Sequence, residues 1–229
     1  MKKKVLSILL SAAMVAAMVS GCGSKDEGSS SADSADKTEA SSDDAAASDA
    51  TYEGTIKIGV VGPFSGSSAM VGDTEKKGVE LAAKQINENG GINGMTIELI
   101  EEDDQQDPKT AVSAINKLVS SDEVVAAVGT VNSSCTLAMM DVTENNEIPL
   151  VTPISSGVAI TDPSNSYIVR LQASDKLQAK AITEYAINDL GYKNIAVMFQ
   201  NDDFGAGGKD VVVETLKDAG IEPLAVEAF

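Results

Sequence analysis

The chain has 229 residues, of which 43% are hydrophobic and only 3% aromatic, with no Trp, no His and a formal net charge of −18. The apolar content suits a globular body, while the missing histidine removes the commonest general base and metal ligand. Such acidity excludes a nucleic-acid surface, whose phosphates it would repel, and two cysteines, Cys22 and Cys135, make no disulfide framework once Cys22 is given the role below.

The amino end reads as an export signal. Lys2, Lys3 and Lys4 form a positive n-region, and Val5 to Val19 an apolar segment shorter than the ~20 residues a membrane-spanning helix needs. Val19-Ser20-Gly21-Cys22 follows and resembles the bacterial lipobox, whose cysteine is diacylated and becomes the first mature residue. The reading is therefore a signal peptide over 1–21, a lipidated Cys22, and an anchor held in the membrane without spanning it. From Gly23 to Ala50 the chain is almost all Ser, Ala, Asp, Gly, Lys and Glu. Lacking large apolar residues, it is expected to be disordered, so 22–54 is assigned as a lipidated tether spanning roughly 30 Å.

The folded part opens with an apolar, β-rich run at Thr55–Gly62, followed by a Gly/Ser loop and a helix expected from Asp73 with Val79, Ala82, Ala83 and Ile86 inward. Asn89-Gly90-Gly91 ends it. A strand follows at Met95–Ile100, then Asp107-Pro108 as N-cap and first helical residue, with Ala111, Ile115 and Leu118 on the inner face. Val124–Val128 is an unbroken apolar run, the pattern of a strand buried on both faces. Thr130, Asn132, Ser133 and Ser134 come next, then a helix with Cys135, Met139 and Val142 on one face. Ile148–Val151 forms another strand, closed by Thr152, Pro153, Ser155 and Ser156. Further on lie a strand at Tyr167–Leu171 and a helix over Asp175–Leu190 with Leu177, Ala181 and Tyr185 inward. A strand at Asn194–Phe199, a helix to Ala219 and a strand from Glu222 complete the chain. Alternating strands and helices predict a mostly parallel α/β sheet. The assignment is one lobe over 55–172 and a second, incomplete lobe over 173–229, whose few elements need further apolar partners.

Chemistry is thin along this chain. The glycines at 59, 62 and 66 do not keep the dinucleotide spacing, and no phosphate-loop pattern occurs. Glu101, Glu102, Asp103 and Asp104 could hold a hard cation or simply solvate a strand end. Cys135 has no histidine to activate it, and no Ser-based triad can be assembled, so the chain reads as no enzyme, with no cofactor and no catalytic or metal residues. Two hydroxyl-rich loops follow two strands separated by one helix. If those strands are parallel, both loops open at the carboxyl edge, where open α/β folds bind ligands. Hydroxyls and backbone N–H groups there suit the carboxylate and ammonium of a small zwitterion; equally, Ser133 and Ser134 suit a helix cap, and Ser155 and Ser156 a turn.

IKIGVVGPFSGSSAMVGD (56–73), GVELAAKQINENGGINGMTIEL (78–99), EDDQQDPKTAVSAINKLV (102–119), VGTVNSSCTLA (128–138), IPLVTPISSG (148–157) and NDDFGAGGKD (201–210) in this order resemble the branched-chain (Leu/Ile/Val) amino-acid binding proteins of ABC importers, the type I periplasmic binding fold. The resemblance implies an extracytoplasmic, lipid-anchored, monomeric solute-binding protein that closes two lobes on an amino acid and passes it to a permease and ATPase complex. By position it implies that Ser133 donates to the ligand carboxylate and that the Ile154 carbonyl takes the ammonium. It also implies that Ser155 and Ser156 form the second loop, with Ser156 clamping both groups, that Phe204 covers the ligand from the other lobe, and that Val71 stands at a wall. Gln106 and Asn132 occupy places where the family often bridges two cysteines. A sensory ectodomain or lipoprotein, or a relative that binds an amide, urea or aromatic acid, stays open at this point.

Overall fold

The structure, a computed structural model, describes residues 53–161 and 166–229. The signal peptide, Cys22 and nearly all of the tether assigned above lie outside them. Five strands, β1 (Thr55–Gly62), β2 (Thr96–Asp103), β3 (Ala126–Gly129), β4 (Leu150–Thr152) and β5 (Ile168–Arg170), form one sheet in the order β2-β1-β3-β4-β5. Every pairing is parallel, and the register sets Gly62 opposite Asp103, Val61 opposite Gly129 and Thr152 opposite Arg170. The carboxyl ends of all five strands therefore share one edge. The connecting helices are α1 (Ala69–Glu88), α2 (Pro108–Ser120) and α3 (Ser133–Asn145). Helix α4 (Asp175–Asn188) leads to β6 (Val197–Phe199), α5 (Asp203–Asp218) and β7 (Val226–Ala228), and β6 and β7 make a separate parallel pair.

The main core lies between the five-stranded sheet, α2 and α3. Val61, Ala111, Ile115, Leu118, Ala127, Cys135, Met139 and Leu150 are fully buried in it. Helix α2 begins as its sequence dictates: the Asp107 carboxylate accepts from the Thr110 N–H at 2.8 Å, and Pro108 occupies the first turn. Its inner residues Ala111, Ile115 and Leu118 are those expected.

Two helix faces differ from expectation. Helix α1 starts at Ala69, four residues before the expected Asp73, and buries Gly72, Glu75 and Ala83, leaving Ala82 and Ile86 exposed. The Gly/Ser run suggested loop, but Gly72 is helical, and glycine is needed there because a Cβ would lie 2.3 Å from the Pro63 carbonyl oxygen. On α4, Leu177, Ala181 and Tyr185 are exposed, and Asp175, Thr183 and Ile187 are buried instead. Helix α4 packs on α5 rather than over the five-stranded sheet, so the inward face turns to Ile187, which joins Val197, Leu216 and Ile221.

The acidic run at the end of β2 separates into individual structural roles. Glu101 pairs with Lys76 and Glu102 with Lys117. Asp103 Oδ1 accepts from the N–H groups of Phe64 and Gln105, both at 2.9 Å. Asp104, fully buried, takes the Thr130 hydroxyl and the Gln106 N–H. Alternation along the strand sends neighbouring carboxylates to opposite faces. Among the described residues no group of three or more acidic or thiol side chains could hold a metal ion.

Candidate functional site

Each loop at the carboxyl edge is tied to its neighbour by hydroxyls the sequence places there. The Thr130 carbonyl accepts from Thr152 Oγ1 at 3.2 Å and from Ser155 Oγ at 2.7 Å. Ser155 Oγ also lies 2.7 Å from the Thr136 hydroxyl. These groups are buried and lock the β3 and β4 loops together. Ser155 therefore differs from the sequence expectation: its hydroxyl is spent inside the wall and is not presented to a guest.

Ser133 and Ser156 do meet at one cleft. Ser133 opens α3, and its Oγ accepts the Gly157 N–H at 3.1 Å. That contact needs glycine at 157, since a Cβ there would stand 2.9 Å from Ser133 Cβ and 3.0 Å from Oγ. Ser156 Oγ donates to Asp175 Oδ2 at 3.1 Å, and the Ser156 carbonyl accepts the Asp175 N–H at 3.0 Å. Arg170 holds the loop from behind, donating through Nη1 to the carbonyls of Ser156 (3.2 Å) and Gly157 (2.8 Å) and through Nη2 to Thr161 Oγ1 (2.6 Å).

The cleft has a volume of about 450 Å³ and is lined by Ser133, Ile154, Ser156 and Phe204 among the expected residues. Val71 is not among its lining; it sits half-turned to solvent on the first turn of α1. Because α1 begins early, its N-cap Ser68 takes the place on the wall, beside Gln106. Phe204 enters from the first turn of α5, a helix capped by Asp202 accepting from the Gly205 N–H at 2.9 Å.

Asp175 is the main residue that sequence reasoning missed. It read only as the start of a helix, yet it is buried, lines the cleft and holds Ser156. Burial raises its carboxyl pKa, partly offset by the Ser156 hydrogen bond and the Arg170 charge. A serine loop followed by Asp after the next parallel strand was the available signal. Gln106, Asn132, Gln172, Gln178, Gln200 and Asp202 complete the polar lining. Cys135 is buried in the core, and burial, with Asp104 and Asp107 nearby, pushes its thiol up to about 12. It is a packing residue.

This arrangement suits binding without chemistry. Among the described lining residues there is no histidine or lysine to activate a hydroxyl, but there are hydroxyls, carboxamides, two carboxylates and the amino end of a 13-residue helix. Comparison with known proteins agrees. The periplasmic binding protein family model matches residues 55–229. A leucine-, isoleucine-, valine-, threonine-, and alanine-binding protein of Pseudomonas aeruginosa is 35% identical over 175 residues, covering 76% of this chain and 47% of that protein. An amino acid binding protein of the same organism is 34% identical over 174 residues, 76% of this chain and 46% of its own length. The crystal structure of a branched-chain amino acid transporter substrate binding protein from Streptococcus pneumoniae, in complex with isoleucine, superposes with a TM-score of 0.68. Its sequence is 30% identical, and the match covers 76% of this chain and 49% of that one. The chain spans about half the length of the curated relatives it matches.

Proposed function

This chain belongs to the type I periplasmic binding protein family, and from that premise we propose that it is the substrate-binding component of an importer for a branched-chain or related amino acid. It is tethered outside the cytoplasm by a lipid on Cys22 and hands its ligand to a permease and ATPase complex. The observation that carries the reading is the meeting of Ser133, Ser156 and Asp175 at one cleft.

The hydrogen-bond ledger gives each group one free role. Ser133 Oγ already accepts the Gly157 N–H, so its proton is left to donate to a carboxylate. The first N–H groups of α3 lack intrahelical acceptors and point the same way, with the helix dipole favouring the anion. Ser156 Oγ already donates to Asp175, so its lone pairs are left to accept from an ammonium. The Ile154 carbonyl and the Asp175 carboxylate supply two more acceptors for that cation. Phe204 covers the guest from the side of α5, and closure is a hinge motion favoured by contacts made only when both sides touch the ligand.

Calorimetry on the full-length protein tests this. Heat of binding is expected with at least one member of a panel of leucine, isoleucine, valine, alanine, threonine, asparagine, glutamine and phenylalanine. Silence across that panel removes the amino-acid reading.

A further inference from the structure

The sheet order fixes which groups a bound amino acid meets beyond its backbone end. Ser133 follows β3, and Ile154 and Ser156 follow β4, so the α-carboxylate and α-ammonium sit over the middle of the sheet. The side chain then has two flanks along the sheet to extend over, besides the side of α5 that Phe204 covers. Over β1 and β2 it meets Ser68 and Gln106; over β5 it meets Gln172 and Gln178. Both flanks end in hydrogen-bonding side chains.

The flank over β1 and β2 is the more organised. Ser67 Oγ donates to Gln106 Oε1 at 2.6 Å, and Gln106 Nε2 donates to Ser68 Oγ. The carboxamide is thereby held at both ends, while one of its two N–H bonds and the Ser68 hydroxyl proton have no partner in these pairings. Asn132, next to Ser133 in the chain, also lines the cleft. An isobutyl or sec-butyl group pressed here would strip water from Gln106 and Ser68 and return no hydrogen bond, leaving polar groups unsatisfied. A hydroxyl or carboxamide would replace the water it displaces. Among the described residues the lining carries two carboxylates, Asp175 and Asp202, and no basic side chain, which disfavours an acidic guest.

Resting on the amino-acid reading above, we infer that Gln106 and Ser68 make this cleft selective for amino acids whose side chains end in an uncharged hydrogen-bonding group, in preference to the branched aliphatic ones. Gln106 and Ser68 are the specificity-determining residues.

The test pairs near-isosteric ligands, threonine with valine and asparagine with leucine, by calorimetry on the full-length protein, its Gln106→Met variant and its Ser68→Ala variant. Threonine and asparagine are expected to bind about tenfold or more tighter than their aliphatic partners. The ratio is expected to collapse toward one in Gln106→Met, and to fall in Ser68→Ala, which removes the acceptor that holds the carboxamide together with the hydroxyl donor. Thermal melts that match the parent protein show that both variants fold. Valine and leucine binding as tightly as threonine and asparagine, or tighter, overturns the inference while the amino-acid reading stands. A ratio unchanged in both variants overturns the assignment to Gln106 and Ser68. Absence of heat with all four ligands and with the wider panel overturns the amino-acid reading and this inference together.

Discussion

The five-stranded region and the β6–β7 region use the same β-α-β grammar and reach different degrees of burial. In the first, sheet, α2 and α3 enclose a core in which Ile115, Leu118, Met139 and Leu150 have no exposure. In the second, the buried hydrophobic side chains among the described residues are Ile187, Val197, Leu216 and Ile221, while Met198, Leu224 and Phe229 are each at least 70% exposed. A two-stranded sheet has too few neighbours to cover its own apolar side chains. The site reflects this contrast: the groups that would grip an amino acid's backbone end are Ser133, Ile154, Ser156 and Asp175, cross-braced by Arg170 and buried hydroxyls, whereas Phe204 reaches the cleft from the more open region and is itself 42% exposed. Most of the gripping groups thus sit on the better-buried first region, while α4 and α5 contribute Asp175 and Phe204.

The contrast can be broken by mutation, and the largest effect is expected in the first core. Leu150→Ala is predicted to cost ~2–5 kcal/mol of stability by chemical denaturation, while Met198→Ala, at an exposed site, changes it by less than about 0.5 kcal/mol. Equal costs would show that the second region is as well packed as the first.

A pH experiment sharpens the same comparison, because the first region buries an acid. Glu75 is 6% exposed, and neither carboxylate oxygen has a hydrogen-bond partner. Burial, aided by the charge of Asp104, raises its pKa from 4.5 to about 8. The folded state thus keeps a proton that the unfolded chain releases at its ordinary pKa, so stability falls as pH rises between 4.5 and about 8 and then levels. Asp104, raised chiefly by its own burial, adds to the same trend. Glu75→Gln is expected to flatten much of that slope and to be the more stable protein at pH 8 by on the order of 1–3 kcal/mol. Urea midpoints at pH 5.5 and 8.5 decide it; parallel slopes in both proteins would place Glu75 in contact with water.

Within the cleft, Ser156→Ala is predicted to weaken amino-acid binding by ~1–3 kcal/mol, since it removes a hydrogen bond to charge. Gly157→Ala should weaken it too, because the added methyl would crowd Ser133. Phe204→Ala, which trims a cover and leaves the gripping groups in place, is expected to cost about 1 kcal/mol or less. Calorimetric affinities in that order support the division between grip and cover, and a Phe204 effect exceeding that of Ser156 inverts it.

Local patterns carried much of this protein. The apolar run at Thr55–Gly62 announces a parallel strand, Asp107-Pro108 announces a helix start, and the serines after β3 and β4 mark one edge, because each depends on neighbours within a few residues; the run at Val124–Val128 announces a strand too, but it begins only at Ala126, with Val125 exposed and only alternate residues buried, not both faces. What the chain's order could not supply is which side chain of a loop or helix turns where. A helix advances about 100° per residue, so starting α1 at Ala69 exchanged Val71 for Ser68 on the wall, and packing α4 on α5 turned Leu177, Ala181 and Tyr185 outward. Ser155 turned inward because Thr130 and Thr136, distant in sequence, offered its hydroxyl partners. Asp175 became part of the cleft only because β5 lies beside β4. Those outcomes rest on contacts between segments far apart in the chain, and only the folded arrangement of the strands decides them.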